Sequence, residues 1–288
     1  MTPQVSVVMP VYNGEKYLAR AIESILCQTF SDFEFIILDD ASTDSSTKII
    51  DDYHDSRIKL IRNERNLGVP IRLNQGVDLA RGKYIARMDC DDISLPERLQ
   101  RQVAAMDAHP EVSVCGTWAS DIDETDHVMR LHKVPFGKFL KLFYWRPSPI
   151  IHPAAMINAA HLQYYRYDPQ MRDAEDYDLW LRLKAARHEL YNLTEQLLLY
   201  RVHPGSVSNV RQENQSRKTF ESFCRHVTCH ISHQAFLALN FDSFQLHPIR
   251  RMRAMHQVSH ALRQSYGYLH FRDDMRYLYK WIKACKHR

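Results

Sequence analysis

The 288-residue sequence predicts an α/β protein: a mostly parallel central sheet flanked by helices, followed by a helical C-terminal extension. Short runs rich in β-branched and aromatic residues alternate with stretches of helical spacing, which implies right-handed βαβ units. Hydrophobic residues make up 45% of the chain, enough for a substantial core. The charge is uneven. Residues 211–288 carry fourteen Lys or Arg against five Asp or Glu, a balance of +9, so the formal charge of +4 leaves residues 1–210 at −5.

Val5-Ser6-Val7-Val8-Met9 and Phe33-Glu34-Phe35-Ile36-Ile37-Leu38 are nearly continuous apolar runs, as expected of strands covered on both faces. Between them, Tyr17, Leu18, Ala21, Ile22, Ile25 and Leu26 have helical spacing. Further strands are expected at Ile58–Ile61, Tyr84–Met88 and Val112–Cys115. Ile71, Leu73, Val77, Leu79 and Ala80 form a helical pattern closed by Gly82, and Pro96 opens another that runs towards Met106. From about Trp118 to Tyr167, Pro135, Pro147, Pro149 and Pro153 interrupt the pattern, and a loop-rich region is expected. A helix from Glu175 to about Arg187 and a strand at Leu197–Tyr200 follow. Beyond Val210 the chain reads as helical, basic and aromatic, with His247-Pro248 dividing it.

The six cysteines are scattered and read as free thiols. Cys224 and Cys229 lie near His226, His230 and His233, but this spacing matches no common zinc finger and fits ordinary helix positions. No apolar run approaches the ~18 residues that span a bilayer, and the N-terminus lacks the basic start of a secretory signal. A cytoplasmic location is therefore expected.

In an open parallel sheet, ligands bind beyond the carboxyl ends of the strands. Three polar segments sit there: Pro10-Val11-Tyr12-Asn13-Gly14, Asp39-Asp40-Ala41-Ser42-Thr43-Asp44 and Asp89-Cys90-Asp91-Asp92. Adjacent carboxylates repel one another unless a cation neutralises them, and oxygen donors of this kind favour Mg²⁺ or Mn²⁺. The cluster alone is ambiguous, because Asp92 or Ser94 also suits the cap of the helix at Pro96.

The ordered set Val5–Gly14, Ser24–Phe30, Leu38–Asp44, Asn66-Leu67-Gly68, Asn74, Gly82–Ile85 and Asp89–Asp92 resembles the family 2 glycosyltransferases. The resemblance continues through His152-Pro153, through Glu175-Asp176-Tyr177-Asp178-Leu179-Trp180, which looks like that family's "ED" helix, and through Tyr200–Ser208. It spans roughly residues 4–209 and leaves the basic extension uncovered. It implies a GT-A fold with a Rossmann-like sheet. The expected domains are a catalytic domain over 1–210, with a nucleotide-sugar half at 1–117 and an acceptor half at 118–210, and a helical extension over 211–288.

The site residues follow as implications of that resemblance. Pro10, Tyr12 and Asn13 line the base and ribose pocket, and Asp40 accepts a hydrogen bond from a uracil ring with Asp39 as a neighbour. Asp91 is the first metal ligand, for Mn²⁺ or Mg²⁺. Asp89 binds the ribose or reaches the metal through water, and Asp92 caps the next helix or assists. Asp176 is the general base and Glu175 positions the acceptor, giving inversion at the anomeric carbon; both acids equally suit the positive start of a helix. Arg201 and His203 contact the diphosphate or metal, or are a surface strand residue and a loop histidine. Arg72 reaches the nucleotide or is solvated on its helix, and His152 approaches the acceptor or packs.

The implied activity is transfer of one sugar from a nucleotide-diphosphate sugar to a saccharide or lipid-linked saccharide. UDP is favoured by family frequency, with a thymidine diphosphate donor as the alternative. No Q-x-x-R-W motif is present, which argues against processive polymerisation. Ala41 stands where the family often has Gly, which argues against a strict need for positive φ there. Two readings compete. One is a catalytically silent nucleotide-sugar-binding scaffold, which the retained acids oppose; the other is a nucleotidyltransferase, which lacks its Gly-rich loop after strand one. The basic extension either contacts an anionic membrane at the inner face or packs on the catalytic domain or a second subunit. Nucleic acid is a poor fit, because no recognised binding module accompanies the charge.

Overall fold

The computed structural model describes residues 2–137, 140, 148–206, 212–227 and 236. The chain forms two compact units, Met1–Thr219 and Phe220–Arg288. The catalytically interesting residues all lie in the first.

The first unit opens with β1 (Val5–Val11), α1 (Leu18–Leu26), β2 (Phe33–Asp39), α2 (Ser46–Asp51), β3 (Ile58–Arg62), α3 (Val69–Leu79) and β4 (Tyr84–Arg87). β3, β2, β1 and β4 lie side by side in that order, all parallel. Their near-continuous apolarity has a direct cause: both sheet faces are covered. Val5, Val7, Met9, Phe33, Phe35 and Ile37 pack with Leu18, Ile22 and Ile25 of α1, and with Leu99 and Val103 of α4 (Arg98–Ala108). Val8, Ile36 and Leu38 face the other way, towards Leu73 and Val77 of α3 and Leu179, Trp180 and Leu183 of α6 (Glu175–Ala185). Each such side chain contributes about 1.5–3 kcal/mol by leaving water.

The remaining strands are β5 (Ile93–Ser94), β6 (Val112–Ile122), β7 (Val128–His132), β8 (Met156–Asn158) and β9 (Glu189–Arg201), with α5 (Ala159–Tyr165) following β8. β8 runs antiparallel to both β4 and β6, so the sheet is parallel over its first four strands and mixed beyond. β6 and β9 pair in parallel, and β5 and β7 pair antiparallel with β9 and β6.

The loop expected over 118–167 is therefore corrected. β6 continues to Ile122, a hairpin follows, and β8 and α5 complete the region. Pro135, Pro149 and Pro153 fall outside these strands, in connections and in a 3₁₀ turn at His152–Ala154, and Pro147 lies outside the described residues. β9 begins eight residues before the expected strand. Glu195 and Gln196 break its apolar pattern, and its register with β6 shifts around Thr117 and Trp118, as bulges produce.

A second correction concerns the cap of α4. Its amide at Leu99 donates to Gln28 Oε1 at 3.0 Å, while Ser94 accepts from Gln28 Nε2 at 3.1 Å. Neither Asp92 nor Ser94 caps the helix. In the second unit, the Phe236 ring packs on Phe220 and Phe223 with centroids 5.3 and 4.8 Å apart. Most of the basic extension, including Cys229, His230, His233 and His247-Pro248, lies outside the described residues.

Candidate active site

Val11 and Asp39 end β1 and β2 in register, Arg87 ends β4 opposite Val8, and the loops beyond these strands border a cavity of about 630 Å³. It is lined by Pro10, Tyr12, Asn13, Asp40, Asp89, Asp91, His152, Glu175, Asp176, Arg201 and His203, among others. These predicted site residues come from positions up to 193 apart in sequence, and the sheet brings them together.

On the β1 and β2 side, Asn13 ties two loops: its Oδ1 accepts from Thr43 N at 2.8 Å, and its own amide donates to Ser42 Oγ at 3.0 Å. Tyr12 leaves its ring half exposed at the cavity. Asp40 is buried. Its Oδ1 accepts from Leu67 N at 2.9 Å and from Arg72, and its Oδ2 accepts from Gly68 N at 2.8 Å. Arg72 is neither solvated nor on the cavity wall: it is buried, ion-paired with Asp40 and bonded to the Arg65 carbonyl. It holds Asp40 in place. Asp39 is likewise off the cavity, buried beneath the turn whose Ser42 amide it accepts.

Ala41, in the same turn, has φ 64°, so the position does adopt the left-handed conformation that the alanine argued against. The surrounding loop bonds over-determine the backbone there.

In the acidic loop, carboxylate oxygens of Asp89, Asp91 and Asp92 lie within 4.8 Å of one another, the one such metal-capable group among the described residues. Asp89 is ion-paired with Arg87, and burial still pushes its carboxyl above the usual range. Asp92 is buried; its Oδ1 accepts from Arg201 N at 2.7 Å and its Oδ2 has no partner among the described residues. Burial, with Asp91 and Asp89 beside it, pushes its pKa well up. An unpartnered buried carboxylate oxygen beside two further carboxylates suits a hard divalent cation, so the donor set fits Mn²⁺ or Mg²⁺.

Arg201 is not a surface residue. It is buried, with Nε donating to the Asp91 carbonyl at 2.8 Å, Nη1 to the Asp123 carbonyl at 2.8 Å, and Nη2 paired with Asp126 at 2.5 Å. Its guanidinium stacks 4.3 Å from the Tyr17 centroid. His203 Nε2 lies 3.1 Å from Asp91 Oδ2. The end of β9 thus braces the acidic loop.

Glu175 and Asp176 open α6 without a side-chain cap. Burial and the neighbouring Asp176 push the Glu175 carboxyl up to about 7, and its Oε2 has no partner among the described residues. Burial also raises Asp176, while the positive charge of Arg87 opposes the rise. His152 is buried, 3.1 Å from the Tyr167 hydroxyl and edge-on to Trp180. Burial and Arg87 hold its pKa well below the usual histidine range, so it is neutral at neutral pH.

Sequence reasoning missed Arg87. It sits at the end of β4, buried, and its charge acts on Asp89, Asp92, His152, Glu175 and Asp176. The available signal was a lone charge inside an otherwise apolar strand. Arg172 and Asp173, also on the wall, carried no sequence signal.

A largely parallel sheet with acids gathered beyond its carboxyl edge in one cavity is the architecture of a GT-A-type fold. The chain belongs to glycosyl transferase family 2, whose family model matches residues 6–168. It is 40% identical over 206 residues to an uncharacterized glycosyltransferase of Methanocaldococcus jannaschii, covering 69% of this chain and 71% of that one. It is 30% identical over 209 residues to the Escherichia coli UDP-Glc:alpha-D-GlcNAc-diphosphoundecaprenol beta-1,3-glucosyltransferase WfaP, covering 71% and 79%. The fold is similar to that of the mannosyltransferase PcManGT of Pyrobaculum calidifontis in complex with GDP-Man and Mn²⁺, with TM-score 0.63 at 16% identity over 99% of this chain and 81% of that one. The protein is a glycosyltransferase. No helix among its described residues is long and apolar enough to cross a membrane.

Proposed function

We propose that this protein is an inverting transferase that moves one sugar from a nucleotide-diphosphate sugar, UDP-linked, to a hydroxyl of a saccharide or lipid-linked saccharide. One observation carries the reading: Asp40, Asp89 and Asp91 of the acidic loop, and the Glu175–Asp176 pair line a single cavity of about 630 Å³.

Pro10, Tyr12, Asn13 and Asp40 hold the nucleoside, with Asp40 kept rigid by Arg72 and two backbone amides. Asp89, Asp91 and Asp92 hold Mn²⁺ or Mg²⁺, with His203 beside Asp91. When bound, the cation supplies positive charge to the departing diphosphate. Arg201 keeps the acidic loop in position from behind. Asp176 takes the proton of the acceptor hydroxyl as its oxygen bonds to the anomeric carbon from the face opposite the diphosphate. The bond from that carbon to the diphosphate oxygen breaks, and nucleoside diphosphate leaves. Glu175 orients the acceptor, and neutral His152 packs close by and lends a polar contact.

The named donor and acceptor of the Escherichia coli relative support a UDP-sugar and a lipid-linked acceptor, and the Mn²⁺ of the mannosyltransferase complex supports a metal. We further read the reaction as cytoplasmic, at the inner face of the membrane, with residues 211–288 as the peripheral contact; their balance of +9 supports this reading.

The test is nucleotide release from a panel of UDP-, TDP- and GDP-sugars with Mn²⁺ or Mg²⁺, beside Asp91→Asn and Asp176→Asn. Both variants should lose at least about a hundredfold in turnover. Binding of donors without turnover favours a silent scaffold, and binding of none removes the transferase reading. Undiminished transfer by Asp176→Asn removes its role as base.

A further inference from the structure

The cations around the cavity are committed almost one by one. Lys16 pairs with Glu124, Arg87 with Asp89, and Arg201 with Asp126. Arg172 differs: among the described residues its guanidinium has no hydrogen-bond or ion-pair partner, yet it lines the same cavity.

Its backbone is firmly built. It follows the 3₁₀ turn Pro169–Met171, where the Asp168 carboxylate accepts from Gln170 N at 2.9 Å and Met171 is wholly buried. Asp173, next in sequence, is held at φ 77° with its carboxylate accepting from Asn214 at 2.5 Å. A side chain launched from so fixed a segment loses less freedom on meeting a ligand.

The guanidinium lies over Gly68. A Cβ added there would come within 2.9 Å of Arg172 Cζ, and Gly68 has φ 89°, so only glycine suits the position on both counts. The Gly68 amide in turn donates to Asp40 Oδ2 at 2.8 Å. One glycine therefore carries an acceptor on its amide side and, over its Cα, a planar donor that is unpaired among the described residues. Asp40 Oδ1 already accepts two bonds, whereas Oδ2 accepts only the one from Gly68, which leaves a lone pair for a donor from the cavity.

We infer that Arg172 is a specificity-determining residue which, with Asp40, reads the imide edge of a nucleobase; this rests on the cavity being a nucleotide-sugar site. The ring N–H donates to Asp40 Oδ2 and the adjacent ring carbonyl accepts from Arg172. Uracil, thymine and guanine present such an N–H beside C=O. Cytosine and adenine present an unprotonated ring nitrogen that would face the carboxylate, so they are rejected. A diphosphate would also attract a guanidinium, so the base and phosphate sources need separate probes.

The full chain, as wild type, Arg172→Gln and Arg172→Lys, is titrated with UDP, CDP, uridine and inorganic pyrophosphate by calorimetry and ligand-observed NMR. Wild type should prefer UDP to CDP at least tenfold. Arg172→Gln should weaken UDP and uridine alike, by roughly ten- to a hundredfold, narrow the UDP-to-CDP preference and leave pyrophosphate unchanged. Arg172→Lys keeps the charge but not the planar fork, and should also lose uridine. Unchanged uridine and UDP binding in both variants overturns the inference. So does a loss confined to UDP and pyrophosphate, which would move Arg172 to the diphosphate. A wild type that binds no nucleotide overturns the reading of the cavity itself, and this inference with it.

Discussion

In the proposed reaction, the charges around Glu175 and Asp176 should set the pH dependence of transfer. Glu175 titrates near 7 because it is buried beside a second carboxylate, and Asp176 is raised for the same first reason. A base must be ionised to take a proton, so transfer should rise with pH as Asp176 ionises, a limb that burial moves above the ordinary aspartate range. Replacing Glu175 by Gln removes the adjacent negative charge and should move the rising limb to lower pH. Replacing Arg87 by Gln removes the cation that favours ionised carboxylates and should move it to higher pH. The kcat/KM profile of each variant decides this; shifts in the same direction would contradict the assignment. Ala41 offers a second test. A non-glycine residue at φ 64° costs roughly 1–2 kcal/mol, so Ala41→Gly should raise the melting temperature by about 2–8 °C, and an unchanged or lower midpoint would count against the strain.

At the level of elements, the carboxyl end of β9 and the acidic loop after β4 form one device, although more than a hundred residues separate them. Arg201 N fixes Asp92, its Nε fixes the Asp91 carbonyl, and His203 meets the Asp91 carboxylate. The loop is thereby held with three carboxylates crowded and one oxygen unpartnered, a local cost that a divalent cation would offset. Mn²⁺ should therefore raise the melting temperature of wild type. Asp91→Asn should lose most of that shift, and Asp92→Asn should lose it while melting higher than wild type without metal, because a buried unpaired charge is gone. Equal Mn²⁺ shifts in all three proteins would refute the metal site. The β-strands that precede these loops were legible in the sequence because both their faces are buried. β7 was not: Val128, Met129 and Leu131 are exposed on an edge strand, so no core imposes an alternating pattern.

For the whole molecule, the contrast between an acidic body and a basic extension remains the broadest physical feature. Residues 211–288 carry +9 against −5 for the rest. If that charge meets an anionic surface, the full chain should co-sediment with vesicles containing anionic lipid at low salt and release at high salt. A chain ending at residue 227 should remain in the supernatant. Equal sedimentation of both would remove the membrane contact and leave packing or self-association as the use of the extension.

What the sequence by itself determined was the run of buried parallel strands, the polar segments at their ends, and the family to which their order belongs. Those signals are local: apolar runs, caps and short acidic strings sit within a few residues of one another. Only the tertiary structure decided what each polar residue does. Arg72, read as a nucleotide contact or a solvated residue, became the partner of Asp40. Arg201, read as a ligand contact or a surface residue, became a buried brace, and Arg87 emerged as the cation whose charge acts on Asp89, Asp92, His152, Glu175 and Asp176, among others. Hydrogen-bond partners and burial depend on groups far apart in the chain, and the acidic cluster became a coherent site only when β9 folded back against it.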